Sequence, residues 1–228
     1  MLARELIGSA QVPDGAELKL FSHGRDFMIV MGHNELMSTR LRGSEEALAT
    51  MTIERLGGRT APHLLIGGYG MGFTLRAALA NLDPKAQITV AELVPEIIEW
   101  AKGPMAAIEA GSLSDRRVKL VMGDVAEAIL LAPEPLDAIL LDVDNGPDGL
   151  VRDDNKRLYS KAGLHNARKA LVPGGVLAVW SAFPDPKFKR RMEEVGFDVE
   201  EVQVRARVDA QGKGKGPRHV IWFARTAA

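Results

Sequence analysis

The chain has no cysteine among its 228 residues. Disulfides and thiolate metal sites are excluded, and the composition fits a reducing, cytoplasmic setting. Histidine is scarce too. Its five copies include no His-x-x-x-His or His-Glu-x-x-His arrangement, so no zinc or other metal site is expected. No run reaches the about 18 apolar residues of a membrane span. The first residues carry Arg4 and Glu5 without a long apolar core, so no signal peptide is expected. A net charge of −1 gives no global attraction to nucleic acid or to a membrane surface. What is present, 46% apolar and 26% charged residues, is ordinary for a globular chain. The length suits one medium domain with a small appendage.

The stretch from His63 to Arg76 organises the rest. An apolar run, Leu64-Leu65-Ile66, ends in glycines at 67, 68, 70 and 72, and a helical pattern follows at Leu75, Ala78, Leu79 and Leu82. Gly68, Gly70 and Gly72 permit a sharp turn and close approach of a ligand to the backbone. The helix after them presents unpaired N–H groups and a positive dipole end. This is the strand–turn–helix of a nucleotide-type site at the carboxyl edge of a parallel sheet. The spacing is G-x-G-x-G, since Phe73 stands where the dinucleotide fingerprint needs glycine, and an NAD dehydrogenase is a distant reading.

Before that turn, residues 17–22, 27–31 and 35–39 read as short strands of an antiparallel β unit. A helix follows, with Gly43 or Ser44 near its cap and Glu45 and Glu46 suited to its first turn. Gly57-Gly58 divides the chain into a small N-terminal unit, 1–57, and a main domain, 58–228. The main domain alternates: strands at 64–67, 88–93, 118–122, 136–142 and 176–181, with helices near 73–82, 95, 125–131, 161–171 and 186–195. Pro173-Gly174-Gly175 stops the fourth of these helices. Two strands, 197–207 and 219–224, then follow with no helix between them. The expected fold is α/β, a doubly wound Rossmann-like sheet ending in an antiparallel β-hairpin. Lys213 and Lys215 at the hairpin tip read as a solvated surface.

Polar residues at strand ends carry the chemistry. Glu92 ends the second strand, 20 residues after Gly72, where a carboxylate accepts hydrogen bonds from ribose hydroxyls. Asp124 follows Gly123 at the third strand's end; it fits a helix N-cap and equally an acceptor for the exocyclic amine of adenine. Asp142, Asp144 and Asp148 put three carboxylates within seven residues. Close together, they predict a raised pKa on one of them and suit a cationic amine or a divalent metal. EF-hand spacing is absent.

From Gly67 to Ser181 the order of motifs resembles the spermidine synthase (polyamine aminopropyltransferase) family, built on the class I S-adenosylmethionine-dependent methyltransferase fold. The carriers are Ile66–Leu75, the strand ending in Glu92, Gly123-Asp124, Asp142–Pro147, Leu158–Leu164 and Leu171–Ser181. The resemblance implies a transferase whose co-substrate is decarboxylated S-adenosylmethionine. Glu92 would hold the ribose, Asp124 and Val125 the adenine, and Asp142 would deprotonate the acceptor amine. Pro147 would belong to a loop closing over the thioadenosine, and Asp144 and Asn145 would face the substrate. A homodimer is implied as well.

The departures fall on the amine end. Gly70 stands where the family has an amine-gripping aspartate, Met37 where it has glutamine, Ser44 where it has an aromatic, and Asn145 where it has a second aspartate. Three functions therefore stay open: aminopropyl transfer to an amine, methyl transfer from S-adenosylmethionine, and nucleoside binding without catalysis. The long loop at 143–157 is a candidate lid.

Overall fold

The computed structural model describes residues 4–13, 15–143, 156–208 and 214–227. The chain opens with an antiparallel four-stranded meander: β1 (Glu5–Gln11), β2 (Glu17–His23), β3 (Asp26–Met31) and β4 (Asn34–Ser38), paired in that order. β1 is absent from the sequence expectation, for a physical reason. Leu6 and Ile7 are both exposed, Ala10 alone is buried, and the register shifts between Leu6 and Gly8, so no period-2 pattern marks the strand.

Helix α1 (Gly43–Arg55) packs against the first helix of the main domain and on the strands beyond it. Its N-cap is Arg42, with no side-chain cap. The Ser44 hydroxyl instead lies 2.8 Å from Nδ1 of His219, 175 residues away. Gly43 fits because a Cβ there would stand 3.2 Å from the Ala206 carbonyl oxygen.

The main sheet has seven strands: β5 (His63–Gly67), β6 (Gln87–Glu92), β7 (Val118–Met122), β8 (Leu136–Leu141), β9 (Leu171–Ser181), β10 (Asp198–Val208) and β11 (Gly214–Arg225). Their order is β10-β11-β9-β8-β5-β6-β7. β5 to β9 are mutually parallel, and β11 runs antiparallel to both β9 and β10. The connecting helices are α2 (Phe73–Asn81), α3 (Pro95–Lys102), the one-turn α4 (Ala106–Glu109), α5 (Val125–Leu130), α6 (Lys161–Ala170) and α7 (Pro186–Glu194). One sheet face buries Leu64, Ile66, Val90 and Leu140 beneath α1–α3; the other buries Leu65, Ile139, Leu141 and Leu177 beneath α5–α7. The expected doubly wound sheet with a closing hairpin is the observed one. Strand order reverses between β5 and β8, and a crevice opens there at the carboxyl ends.

Two boundaries differ from expectation. β9 begins at Leu171, directly after α6, and continues through Pro173-Gly174-Gly175; Gly174 takes φ +68° and its amide donates to Ala227 O at 3.0 Å. The hairpin strands extend beyond their apolar cores because the added residues, Gly214 to Arg218, are exposed and carry no alternation. Lys213 lies outside the described residues, while Lys215 belongs to β11. Among the described residues, no helix is long and apolar enough to cross a membrane, and no cluster of three His, Cys, Asp or Glu could hold a metal.

Candidate active site

The glycine turn is built by its close approaches. Gly68 adopts φ +84°, and a Cβ there would stand 2.7 Å from the Asp142 carbonyl oxygen. Any larger residue would push β5 and β8 apart at the crevice. Its amide donates to Ala91 O at 2.9 Å, fixing the turn to β6. Gly70, at φ +56°, faces Met37 of β4: a Cβ there would lie 3.0 Å from the Met37 sulfur. Gly72 is the left-handed N-cap residue of α2.

Glu92, at the end of β6, is 7% exposed. Its Oε2 accepts from the Tyr69 amide and its Oε1 from the Val94 amide, each at 2.9 Å. Burial pushes its pKa up, and the surrounding backbone N–H groups pull against that shift. Each oxygen keeps acceptor capacity beyond its amide bond. A ribose hydroxyl pair would use that capacity.

Asp124 does cap α5: its Oδ1 accepts from the Ala126 amide at 2.7 Å. Its Oδ2 accepts from Arg157 Nη2 at 3.0 Å. The cap occupies one oxygen, and the other accepts from an exposed guanidinium. Val125 is buried beside it, and its Cγ2 would be 2.6 Å from a Cβ on Gly67.

Asp142 follows β8. Its amide donates to Gly67 O at 3.2 Å, and its Oδ2 lies 3.4 Å from the Thr74 hydroxyl, a long bond from the first turn of α2. Burial pushes its carboxyl up to about 6. Glu45 is pushed well above the carboxylate range by burial first and by the Asp142 charge second. Sequence reasoning assigned Glu45 only to the helix's positive first turn. The pair Glu45-Glu46 held a weak signal, but helix phase decides which of them turns inward. Glu46 pairs with Arg42 at 3.3 Å.

A cavity of about 120 Å³ brings together Gly68, Gly70, Glu92, Asp124, Val125 and Asp142, and residues of the small sheet, among them Leu36 and Met37, close it. Gly72 does not line it. Asp144, Asn145 and Pro147 lie outside the described residues, as does Asp148 and most of the candidate lid. A larger groove of about 750 Å³ runs along the α5 side of β5–β7. Of the expected site residues it reaches Asp124 alone, so size does not locate the chemistry here.

The family model for the spermine/spermidine synthase domain matches residues 46–192. The chain belongs to this family. A polyamine aminopropyltransferase of Korarchaeum cryptofilum is 33% identical over 184 residues, covering 79% of this chain and 53% of that protein. A polyamine aminopropyltransferase of Mycobacterium tuberculosis is 33% identical over 127 residues, 54% of this chain and 23% of that protein. The chain thus spans about half the length of the first of these relatives and less of the second. Among solved structures, a spermidine synthase from Thermotoga maritima superposes with a TM-score of 0.75 at 20% identity, over 97% of this chain and 73% of that one. A spermidine synthase in complex with the transition state analogue AdoDATO gives 0.74 at 19%, over 97% and 72%. These two establish the methyltransferase-like fold. Gly68 to Asp142 lie within the matched segment of the spermine/spermidine synthase domain; Met37, Ser44, Glu45 and His219 lie outside it.

Proposed function

We propose that the chain is an aminopropyltransferase that moves an aminopropyl group from decarboxylated S-adenosylmethionine to an amine, with Asp142 as general base. The observation that carries this reading is the half-buried Asp142 carboxyl, held near pKa 6 at the cavity that Glu92 and Asp124 also line. A base poised near the working pH is deprotonated often enough to act and basic enough to accept a proton. In this reading Glu92 accepts from the ribose hydroxyls, and Asp124 and Val125 flank the adenine. Gly68 and Gly70 let the thioadenosine lie against the backbone. Asp144, Asn145 and Pro147 belong to the loop at the acceptor end.

The acceptor nitrogen gives up a proton to Asp142 and its lone pair attacks the methylene carbon beside the sulfonium. A C–N bond forms, the C–S bond breaks, and its electron pair returns to sulfur, leaving neutral methylthioadenosine. The sulfonium is already an activated leaving group, so holding the nitrogen in line with the breaking bond supplies most of the acceleration. The reading includes a cytoplasmic homodimer acting on a small-molecule amine, without metal, nucleic acid or membrane.

Methyl transfer from S-adenosylmethionine is the second reading, favoured by Gly70 and Met37 at positions where the family carries amine-binding side chains. Calorimetric titration with S-adenosylmethionine, its decarboxylated form and methylthioadenosine separates the two. Preference for the last two ligands supports aminopropyl transfer. Preference for the carboxylated form overturns it in favour of methyl transfer, and no binding by any of the three leaves neither.

A further inference from the structure

Aminopropyl transfer leaves the wide groove on the α5 side of the main sheet without a use. The groove holds about 750 Å³ and shares only Gly123 and Asp124 with the cavity that Asp142 lines. Small-molecule sites span about 300–1,000 Å³. Parallel strands covered by helices on both faces are apolar on both. β5, β6 and β7 depart from this on one face. Leu65, Thr89 and Lys119 are neighbours in register across the three strands, and alternation puts His63 and Gln87 on the same side. The six-residue α5 buries only Val125 and Ile129, and Gln87 and Lys119 stay exposed.

Three cations gather where these strands begin. Lys85 stands in the turn before β6, Arg116 in the turn before β7, and Lys119 in β7 itself; all three line the groove and all three are exposed. Their side chains form no ion pair and no hydrogen bond among the described residues. The neighbouring acid, Asp115, is already taken, because Arg117 holds both its oxygens, at 2.9 and 3.0 Å. The acids that line the groove, Asp124 and Glu127, belong to its other end, where β7 passes into α5, and Asp124 is paired with Arg157. The wall along α5 is apolar. Ala128 and Leu131 line it together with Leu65 and Val121 from the sheet, and Leu131 is 78% exposed.

We propose that this groove is a second ligand site, for an organic diphosphate. The diphosphate head meets Lys85, Arg116 and Lys119, and an apolar or planar body lies against Val121, Ala128 and Leu131. A single exposed lysine without a partner is ordinary. Three cations at the border of a concave apolar wall make an electrostatic well for a multiply charged head. The guanidinium forks onto two phosphate oxygens, while the two ammonium groups add charge and rotatable donors. On the floor the Thr89 hydroxyl, 3.4 Å from His63 Nε2, and the Gln87 amide offer further donors. Covering Leu131 on binding is what separates this site from a bare anion patch. The proposal stands apart from the aminopropyltransferase reading and does not depend on it.

The test is calorimetric titration of the full chain, at pH 7 and low salt, with pyrophosphate, geranyl diphosphate and uridine diphosphate. At least one organic diphosphate is expected to bind about tenfold or more tightly than pyrophosphate. The double variant Arg116→Ala/Lys119→Ala is expected to weaken all three ligands by about tenfold or more. Leu131→Ser should weaken the organic ligands by about three- to tenfold and leave pyrophosphate within about twofold. All three replaced side chains are exposed, so a thermal scan should return the wild-type melting temperature for each variant. Tighter geranyl diphosphate identifies an aliphatic body and tighter uridine diphosphate a nucleoside; either order supports the site. Absence of binding by all three overturns the proposal, as does binding that the double variant leaves unchanged. Pyrophosphate as tight as both organic ligands overturns it too, since the groove then reads charge alone.

Discussion

The two ends of the cavity are made of different material. The end read as the nucleoside site is largely backbone: a glycine turn pinned to β6, and a glutamate held by the Tyr69 and Val94 amides. The end read as the acceptor site is made of side chains drawn from distant segments, with Met37 from β4, and Asp142, just after β8, facing the Thr74 hydroxyl of α2. A backbone-built end resists change, since altering it moves strands. A side-chain-built end changes one residue at a time. On the resemblance drawn from the sequence, the departures at Met37 and Gly70 fall at the side-chain-built end, while the turn, Glu92 and Gly123-Asp124 belong to the other.

Asp142→Asn cuts hardest at this division. Aminopropyl transfer is expected to fall by about 10²–10⁴-fold, with methylthioadenosine affinity held within about threefold. A parallel loss of both would erase the distinction between the two ends. Glu92→Gln probes the other side. An amide cannot accept with both arms, so one of the two backbone N–H groups faces a donor, and methylthioadenosine should bind about 10–100-fold more weakly. Calorimetry decides.

Gly68→Ala sets a Cβ against the Asp142 carbonyl in a left-handed conformation and should lower stability by about 2 kcal/mol, read in a urea melt. The acidity of Asp142 sharpens the comparison by pH. Its folded-state pKa of about 6 lies above the usual 3.8, so the folded chain binds the proton more tightly than the unfolded chain. That stability is full below the unfolded value and is lost as pH rises through about 6. Asp142→Asn should therefore melt with wild type near pH 4 and roughly 6–12 °C above it at pH 8. The smallest effect belongs to Asp124→Ala, which removes the α5 cap and should lower stability by about 1 kcal/mol.

Legibility in the sequence follows the same division. The glycine turn, Glu92 and Gly123-Asp124 are local patterns in which neighbouring residues announce a strand end, and the structure gathers them onto one cavity. Asp142 was legible as the first acid of a cluster at a strand end. The different environments of Glu45 and Glu46 were not: the two are chemically the same in sequence, and only the helix start at Gly43, with Arg42 as N-cap, pairs Glu46 with Arg42. Ser44 looked like a capping residue because the capping signal is local, whereas His219 reaches it only once the sheet has formed. β1 escaped for want of alternation, and the Pro173-Gly174-Gly175 strand start because proline and glycine ordinarily signal interruption.

Met37, Ser44 and Glu45 fall within nine consecutive residues, from the end of β4 across a short link into α1. Of that ribbon, Met37 lines the cavity, while Ser44 ties the start of α1 to His219 on the last strand. Exchanging the strip between relatives is a change of cassette rather than of fold. On the aminopropyltransferase reading, editing this one stretch would alter the acceptor end with the glycine turn and its glutamate left untouched.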